Sequence, residues 1–394
     1  MGRGGEQPQV YLSQMTGTEQ TYFQHDSFRV KGLYIVCKVM NNAAISHRWR
    51  AKKHAGPDKN RMGFLLHFHH AGGALGIAKC ENLVFDLSLR SPFTTFAHME
   101  KKTHKSGFVN IVGNPNVGKS TLLNVLVGRD LSIITSKAQT TRHRILGIVS
   151  SEDYQIVFSD TPGIIRPAYK LQESMMEFVA EAFEDADVLL YMVEPGLKEL
   201  KDETFFHRIE NAKVPVLLVI NKIDTIDQRT LEAAVEYWQA RLPRAEVVPV
   251  SATERFNTDN LLERIVALLP EGPSYYPEDA LTDRPERFFV SEIIRQKILL
   301  NYRKEVPYSV EVVVEEFVED ASLIRIRAIV YVERESQRGI LIGHRGEALK
   351  KTGTQARMDI ERFFGKKAFL ELVVKVDDDW RGNQRKLRRY GYLH

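Results

Sequence analysis

Gly113-Asn114-Pro115-Asn116-Val117-Gly118-Lys119-Ser120 reads G-x-x-x-x-G-K-S, the pattern of a phosphate-binding loop. Phe108 to Val112, an apolar run with the look of a buried strand, leads into it, and Leu122, Leu123, Val125 and Leu126 follow at helix-compatible spacing. Strand, glycine turn and helix together form the setting in which the pattern has chemical meaning. The glycines let the backbone curl so that N–H groups of Asn114, Asn116, Val117, Gly118, Lys119, Ser120 and Thr121 converge on phosphate oxygens. The helix N-terminus adds partial positive charge. Lys119 can reach β- and γ-phosphates, and the Ser120 hydroxyl can ligate Mg²⁺.

Further motifs refine this reading. Ser136 to Arg144 is a polar loop before the strand-like Ile145 to Val149. A threonine here can give its hydroxyl to Mg²⁺ and its N–H to the γ-phosphate, and losing that phosphate would release the loop. Thr141 is the expected residue, with Thr140 the open alternative. Tyr154 to Ser159 alternates like a strand and ends in Asp160-Thr161-Pro162-Gly163. Asp160 can hold Mg²⁺ through water, and the Gly163 N–H can sense γ-phosphate. Lys119, Thr141, Gly163 and Asn116 are therefore the expected catalytic group, and Ser120, Thr141 and Asp160 the expected metal group. Val214 to Ile220 delivers Asn221-Lys222-Ile223-Asp224. The Asp224 carboxylate can accept from guanine N1–H and the exocyclic amine, whereas adenine would leave it desolvated and unpaired. Asn221 can orient the loop and meet the base edge, and the Lys222 stem can cover the base plane. Ser251-Ala252, ending the strand from Val247, suits backbone contact with guanine O6.

Helical segments Leu171–Phe183, Asp202–Ala212, Leu231–Leu242 and Asn260–Leu269 alternate with the strands. This predicts a doubly wound, mostly parallel sheet over residues 104–270, with ligand loops at the carboxyl ends of its strands. Pro270 to Pro277 breaks the last helix, and 271–284 reads as a linker. A different pattern fills 285–380: helix Phe288–Tyr302, strands Tyr308–Phe317 and Leu323–Val332, then Gly343-His344-Arg345-Gly346, helix Glu347–Phe364 and strand Phe369–Val376. Glycines at both ends of G-x-x-G let a nucleic-acid backbone approach, and Arg338, His344, Arg345, Lys350 and Lys351 around it suit phosphates. The tail 381–394 is basic, and either adds phosphate contacts or ends as a solvated segment.

Charge is uneven. Residues 1–98 carry 12 Lys and Arg against 6 Asp and Glu, the middle 21 against 28, and residues 285–394 carry 22 against 17. A polyanionic partner is thus expected at the end of the chain. Two cysteines exclude a disulfide framework, and no apolar run is long enough for a membrane span. Residues 1–98 hold both cysteines and seven of the twelve histidines and show no sustained period. His67, His69 and His70 with Cys80 lack a paired ligand motif, so a metal centre is not expected there. Met99 is followed by a short polar piece and then the first strand, as at a natural start. Residues 1–98 are therefore expected to be a disordered extension or a misplaced start, outside the working machine.

From about Ser106 to the C-terminus these motifs resemble the Era family of GTPases. The resemblance rests on the phosphate loop, Gln139-Thr140-Thr141-Arg142-His143-Arg144, Asp160-Thr161-Pro162-Gly163-Ile164 and Asn221-Lys222-Ile223-Asp224. The C-terminal pattern resembles the α+β type II KH domain that this family carries. The resemblance implies GTP/GDP binding with Mg²⁺, GTP hydrolysis, recognition of the 3′ region of 16S ribosomal RNA, and a part in 30S subunit assembly. It further implies a monomeric cytoplasmic protein with peripheral contact at the inner face of the membrane as a second setting. Ile164 stands where Ras-like proteins place a water-positioning glutamine, and an apolar side chain cannot orient water. A related tRNA-modification GTPase family binds K⁺ through the asparagine matching Asn116. Asn116 accordingly either holds a monovalent cation or only tolerates the loop's backbone.

Overall fold

The computed structural model describes residues 103–197 and 202–393, together with the backbone of five earlier strands. Those strands belong to a unit spanning Met1–Met99, and the rest of the chain, Glu100–His394, forms another. In the first unit β1 (Asp26–Val30) pairs antiparallel with β2 (Leu33–Cys37). β3 (Arg50–Ala55), β4 (Met62–His69) and β5 (Leu75–Lys79) make a second antiparallel sheet. Each of these runs is five to eight residues long, too short to register as a sustained period in the sequence. The expectation for 1–98, with His70, Cys80 and the side chains of this unit, lies outside the described residues.

The second unit opens with a six-stranded sheet. Its members are β6 (Lys105–Gly113), β7 (Ile145–Ser150), β8 (Tyr154–Asp160), β9 (Val188–Val193), β10 (Val216–Ile220) and β11 (Glu246–Pro249), ordered β11-β10-β9-β6-β8-β7. All neighbours are parallel except the β7–β8 pair. Helices α1 (Lys119–Val127), α2 (Lys170–Glu184), α3 (Glu203–Glu210), α4 (Gln228–Arg241) and α5 (Thr258–Leu268) provide the crossovers. β9 is buried at every position, as a central strand covered on both faces must be. Its Leu189, Tyr191 and Val193 join one core with Met175 and Val179 of α2, and its Val188, Leu190 and Met192 join the other with Leu122 of α1 and Leu261 of α5. β6 lies between β8 and β9, so chain connections leave it in opposite directions, and a crevice opens at its carboxyl end.

The 271–284 stretch does not hang free. Gly272 N–H donates to His104 O at 3.0 Å and Ile148 N–H to Leu281 O at 2.9 Å. The Gln155 side chain accepts from the Tyr275 and Tyr276 N–H groups at 2.7 and 2.9 Å and donates to Tyr276 O at 2.8 Å. Beyond it come α6 (Glu286–Asn301), β12 (Glu311–Glu319), β13 (Leu323–Val332), α7 (Glu335–Ile342), α8 (Glu347–Phe364) and β14 (Lys367–Val376). β13 pairs antiparallel with β12 and parallel with β14. Ile294 and Ile298 of α6 pack with Ile324 and Ile326 of β13 and Ile360 of α8 into this domain's core.

The phosphate contacts or solvated end expected of the basic tail concern its charged side chains; its apolar side chains are buried. The tail turns into α9 (Gln384–Arg389), and Leu387 and Tyr392 are buried in one cluster with Trp380, the last residue before the tail. Burying such rings outweighs the cost of ordering a few basic residues, whose charged heads stay at the surface.

Candidate functional site

The crevice at the end of β6 holds a cavity of about 370 Å³ whose lining includes Asn116, Gly118, Lys119, Ser120, Thr141 and Gly163. That volume suits a small ligand. Gly118 has φ +100°, and a Cβ there would lie 2.3 Å from Asn221 Nδ2. The loop can therefore close onto Asn221 only with glycine. Lys119 is buried and donates from Nζ to Gly113 O at 3.2 Å and Asn114 O at 3.0 Å. Burial lowers its pKa to about 8, against the opposing pull of the Asp160 carboxylate. An anion bound beside it would restore the charge.

Three oxygen-bearing side chains meet below the lysine. Ser120 Oγ donates to Asp160 Oδ2 at 2.6 Å and lies 2.9 Å from Thr141 Oγ1, which is itself 3.3 Å from Asp160 Oδ2. The Thr140 hydroxyl is engaged elsewhere, donating to Lys137 O at 2.7 Å and meeting Thr135 Oγ1 at 2.6 Å. The structure thus brings Thr141, rather than Thr140, to the expected metal group. Burial raises the Asp160 pKa, and Lys119 is the leading influence the other way. Ser132 stands near enough to ease Asp160 ionisation, yet neither Asp160 Oδ1 nor Ser132 Oγ completes a hydrogen bond. Hard oxygen donors around a buried, under-satisfied carboxylate are the donor set a Mg²⁺ ion takes. Gly163 closes the far wall, where a Cβ would sit 2.7 Å from the Pro115 backbone. Ile164 is fully buried and its N–H donates to Gly113 O at 3.0 Å.

At the other end of the cavity Asn221 acts as a tie. Its Nδ2 donates to Val117 O at 2.8 Å and its Oδ1 accepts from Ala252 N–H at 3.0 Å. These two bonds orient the loops. Lys222, at φ 64°, donates to Asn116 O at 2.7 Å and pairs with Glu194. Asp224 is exposed and accepts from Ser251 Oγ at 2.5 Å. Ser251 therefore positions the carboxylate with its side chain, a role the sequence reading did not give it. Asn116 Nδ2 donates to Ser136 O at 3.1 Å.

In the second domain Gly343 and Gly346 have φ of 72° and 80°, and the loop between them exposes His344 and Arg345. A separate groove of about 320 Å³ is lined by Gly346, Lys350, Gly353, Arg357, Leu370 and Leu372 among others. It brings Gly346 and Lys350 together, while Arg338, His344, Arg345 and Lys351 lie outside its lining. Arg338 is 3.2 Å from Glu335. Gly353 was overlooked. A glycine within a helix signals close approach, and its Cβ would lie 3.2 Å from Leu372 Cδ1.

The contact between the two domains falls on the polar loop that carries Thr141. Arg142 is buried and donates to Val310 O at 2.7 Å and Tyr308 O at 3.0 Å. Arg295 of α6 donates to Thr140 O and pairs with Glu292. Lys137 donates to the carbonyls of Leu299 and Tyr302, and Gln296 to Ile134 O at 3.1 Å. The tail completes the joint: His143 stacks on Tyr392 at 4.3 Å and Tyr392 donates to Glu311 Oε2 at 2.7 Å, while Trp380, just before the tail, donates to Ser309 O at 2.9 Å within the second domain. Burial pushes Glu311 up to about 7, opposed chiefly by Arg142. Burial, then the charges of Arg284, Arg295 and Arg142, hold His143 well below its usual range.

Comparison with known proteins follows the same division. A family model described as a 50S ribosome-binding GTPase matches residues 108–222, and a KH-domain model matches residues 305–381. GTPase Era of Staphylococcus epidermidis is 43% identical over 292 residues, which cover 74% of this chain and 98% of that protein. The chain belongs to the Era family of GTPases. The Era of Staphylococcus haemolyticus is 44% identical over the same share of each chain. The solved structure of an Aquifex aeolicus Era variant bound to GDP·AlF₄⁻ is 39% identical with a TM-score of 0.71, covering 74% of this chain and all of that one. An Era in complex with MgGDPNP and nucleotides 1506–1542 of 16S ribosomal RNA is 40% identical with the same TM-score and coverage. The expected architecture is therefore that of the family, a P-loop GTPase sheet followed by a KH domain, and this Era-family protein hydrolyses GTP to GDP and phosphate. No helix among the described residues is long and apolar enough to cross a membrane.

Proposed function

We propose that this chain is a GTP-controlled RNA-binding protein that grips the 3′ end of 16S ribosomal RNA through its KH domain and assists 30S subunit assembly. The observation that carries the proposal is the placement of the Thr141 loop, which meets the metal group on one side and α6 and Tyr392 on the other. A relative's structure holds that RNA segment together with MgGDPNP.

In this reading the N–H groups of Asn114 and of Asn116 to Thr121 cradle the phosphates, and Lys119 neutralises charge as it develops toward the leaving oxygen. Ser120, Thr141 and Asp160 would hold Mg²⁺, which draws charge from the β- and γ-phosphate oxygens. Gly163 presents its N–H to the γ-phosphate. Asp224, held by Ser251, selects guanine, the Lys222 stem covers the base, Ala252 contributes backbone contact and Asn221 keeps these loops in register. Asn116 gives its amide oxygen to a monovalent cation; equal hydrolysis rates in NaCl and KCl would rule that out. Arg345 and Lys350 meet RNA phosphate, with Gly343 and Gly346 allowing close approach and Arg338, His344 and Lys351 adding charge around the loop.

Loss of γ-phosphate removes the reason for Thr141 to stay inward, and the arginines bonded to its loop pass the change to the KH domain. The affinity of the full chain for a 16S 3′-end oligonucleotide should differ between GDPNP and GDP. Equal affinities would remove the coupling. Exposed Arg385 and Arg388 on α9 favour a second setting at an anionic membrane surface, and co-sedimentation with anionic liposomes tests it.

A further inference from the structure

GTP hydrolysis needs a group that holds the attacking water in line with the γ-phosphorus. Ile164 cannot serve, being apolar and fully buried with its N–H spent on Gly113 O. The two switch threonine hydroxyls are engaged with Ser120 and Asp160 or with Lys137 O. Two carboxamide side chains line the cavity, Asn116 and Gln139. The Asn116 amide nitrogen is committed to Ser136 O.

Gln139 differs from Asn116 in what its amide meets. Both adopt a left-handed backbone, φ +58° and +65°, which glutamine tolerates less readily than asparagine. Such constraint collects at working sites. Gln139 Oε1 accepts from Tyr169 OH at 3.2 Å, which draws the oxygen end of the amide toward the tyrosine. Tyr169 is in turn held from the other domain. The Arg381 guanidinium lies over its ring at 4.9 Å and pairs with Glu333, and Arg381 O accepts from Leu171 N–H at 3.0 Å.

We propose that Gln139 is the side chain that holds the attacking water, and that Tyr169 is a positioning residue that aims its amide. With one lone pair of Oε1 given to Tyr169, the other accepts an O–H of the water, and the Nε2 hydrogens face a γ-phosphate oxygen. The water oxygen bonds to γ-phosphorus, the bond from phosphorus to the β–γ bridging oxygen breaks, and the water proton leaves with the phosphate product. The glutamine is unchanged. Because Arg381 and Glu333 belong to the tail and the KH domain, this arrangement ties the aim of the amide to the second domain.

The test uses the full chain and four proteins besides wild type: Gln139→Ala, Gln139→Gly, Tyr169→Phe and Gln139→Ala with Tyr169→Phe. Glycine accepts the left-handed backbone without strain, so it separates the amide from the conformation. Both Gln139 variants should lose about 10- to 100-fold in kcat with KM for GTP and affinity for GDP unchanged. They should also lose affinity for GDP·AlF₄⁻ by a similar factor, a readout independent of turnover. Tyr169→Phe keeps the ring under Arg381 and should slow kcat by about 3- to 10-fold, with no further loss in the double variant. Wild-type kcat in Gln139→Gly overturns the proposal. So does a change in KM alone, or a double variant slower than Gln139→Ala by the full Tyr169→Phe factor.

Discussion

Arg295 is the hinge pin of the domain joint, and its removal has a calculable cost. Its side chain and that of Glu292 are 2% and 7% exposed, and it also donates to Thr140 O. Replacing Arg295 by methionine leaves the Glu292 carboxylate buried without its cation, a loss of about 3–5 kcal/mol when one member of a buried pair is removed. The Thr140 carbonyl loses a donor, roughly 1–3 kcal/mol if no water replaces it. Removing both charges with Glu292→Gln and Arg295→Met discards the first cost and keeps the second. At a urea slope of roughly 3 kcal/mol/M, the two costs together should make the single variant unfold about 1.3–2.7 M earlier than wild type, with the double variant recovering most of the shift. The measurement is urea titration of wild type, the single variant and the double variant at one pH, followed by tryptophan fluorescence, with GTP turnover recorded alongside. Turnover in the double variant should stay below wild type, because Thr140 is still unheld. A single variant that unfolds with wild type, or a double variant no better than the single, would refute the view that this pair anchors the Thr141 loop.

Three further outcomes are expected. Gly118→Ala drives a Cβ to 2.3 Å from Asn221 Nδ2 and should weaken GDP binding at least about 100-fold by titration calorimetry, since loop and base site must separate. Glu311, pushed up to about 7 by burial, is easier to ionise in the unfolded chain, so its stabilising share is complete below about 4.5 and is lost as pH rises through 7; the unfolding midpoint of Glu311→Gln relative to wild type should rise between pH 5 and pH 8, and a constant offset would contradict this. Arg345→Ala and Lys350→Ala should each weaken binding of a 16S 3′-end oligonucleotide and lower its salt slope by about 1, whereas unchanged slopes would place the RNA backbone elsewhere.

The phosphate loop, Asp160 and Asn221-to-Asp224 were legible because each is a contiguous run at the end of a strand, and strands announce themselves by apolar content. The KH-type order was legible for the same reason. The joint was not. Arg142 meets Val310, and Arg295 meets Thr140, across separations of 168 and 155 residues; nothing in the local spacing of either segment marks the other. Trp380, Leu387 and Tyr392 were hidden among arginines, whose density suggested a solvated end. The preference for Thr141 over Thr140 depends on which neighbouring hydroxyl points inward, a matter of loop backbone that adjacent identical residues cannot reveal. Ser251 was read as backbone, and only its 2.5 Å bond to Asp224 shows its side chain at work.

The Gln155 clamp on Tyr275 and Tyr276 has a consequence for how the two domains can part. With the connecting segment fastened at Gly272, at both tyrosines and again at Leu281, the free tether between them is only the few residues before α6. A short leash keeps the KH domain at millimolar effective concentration beside the Thr141 loop even when every bond of the joint is broken. Reclosure is then a local, unimolecular event. Modest changes in the joint's free energy can therefore toggle it, and the energy of a single γ-phosphate contact is of the right size to do so.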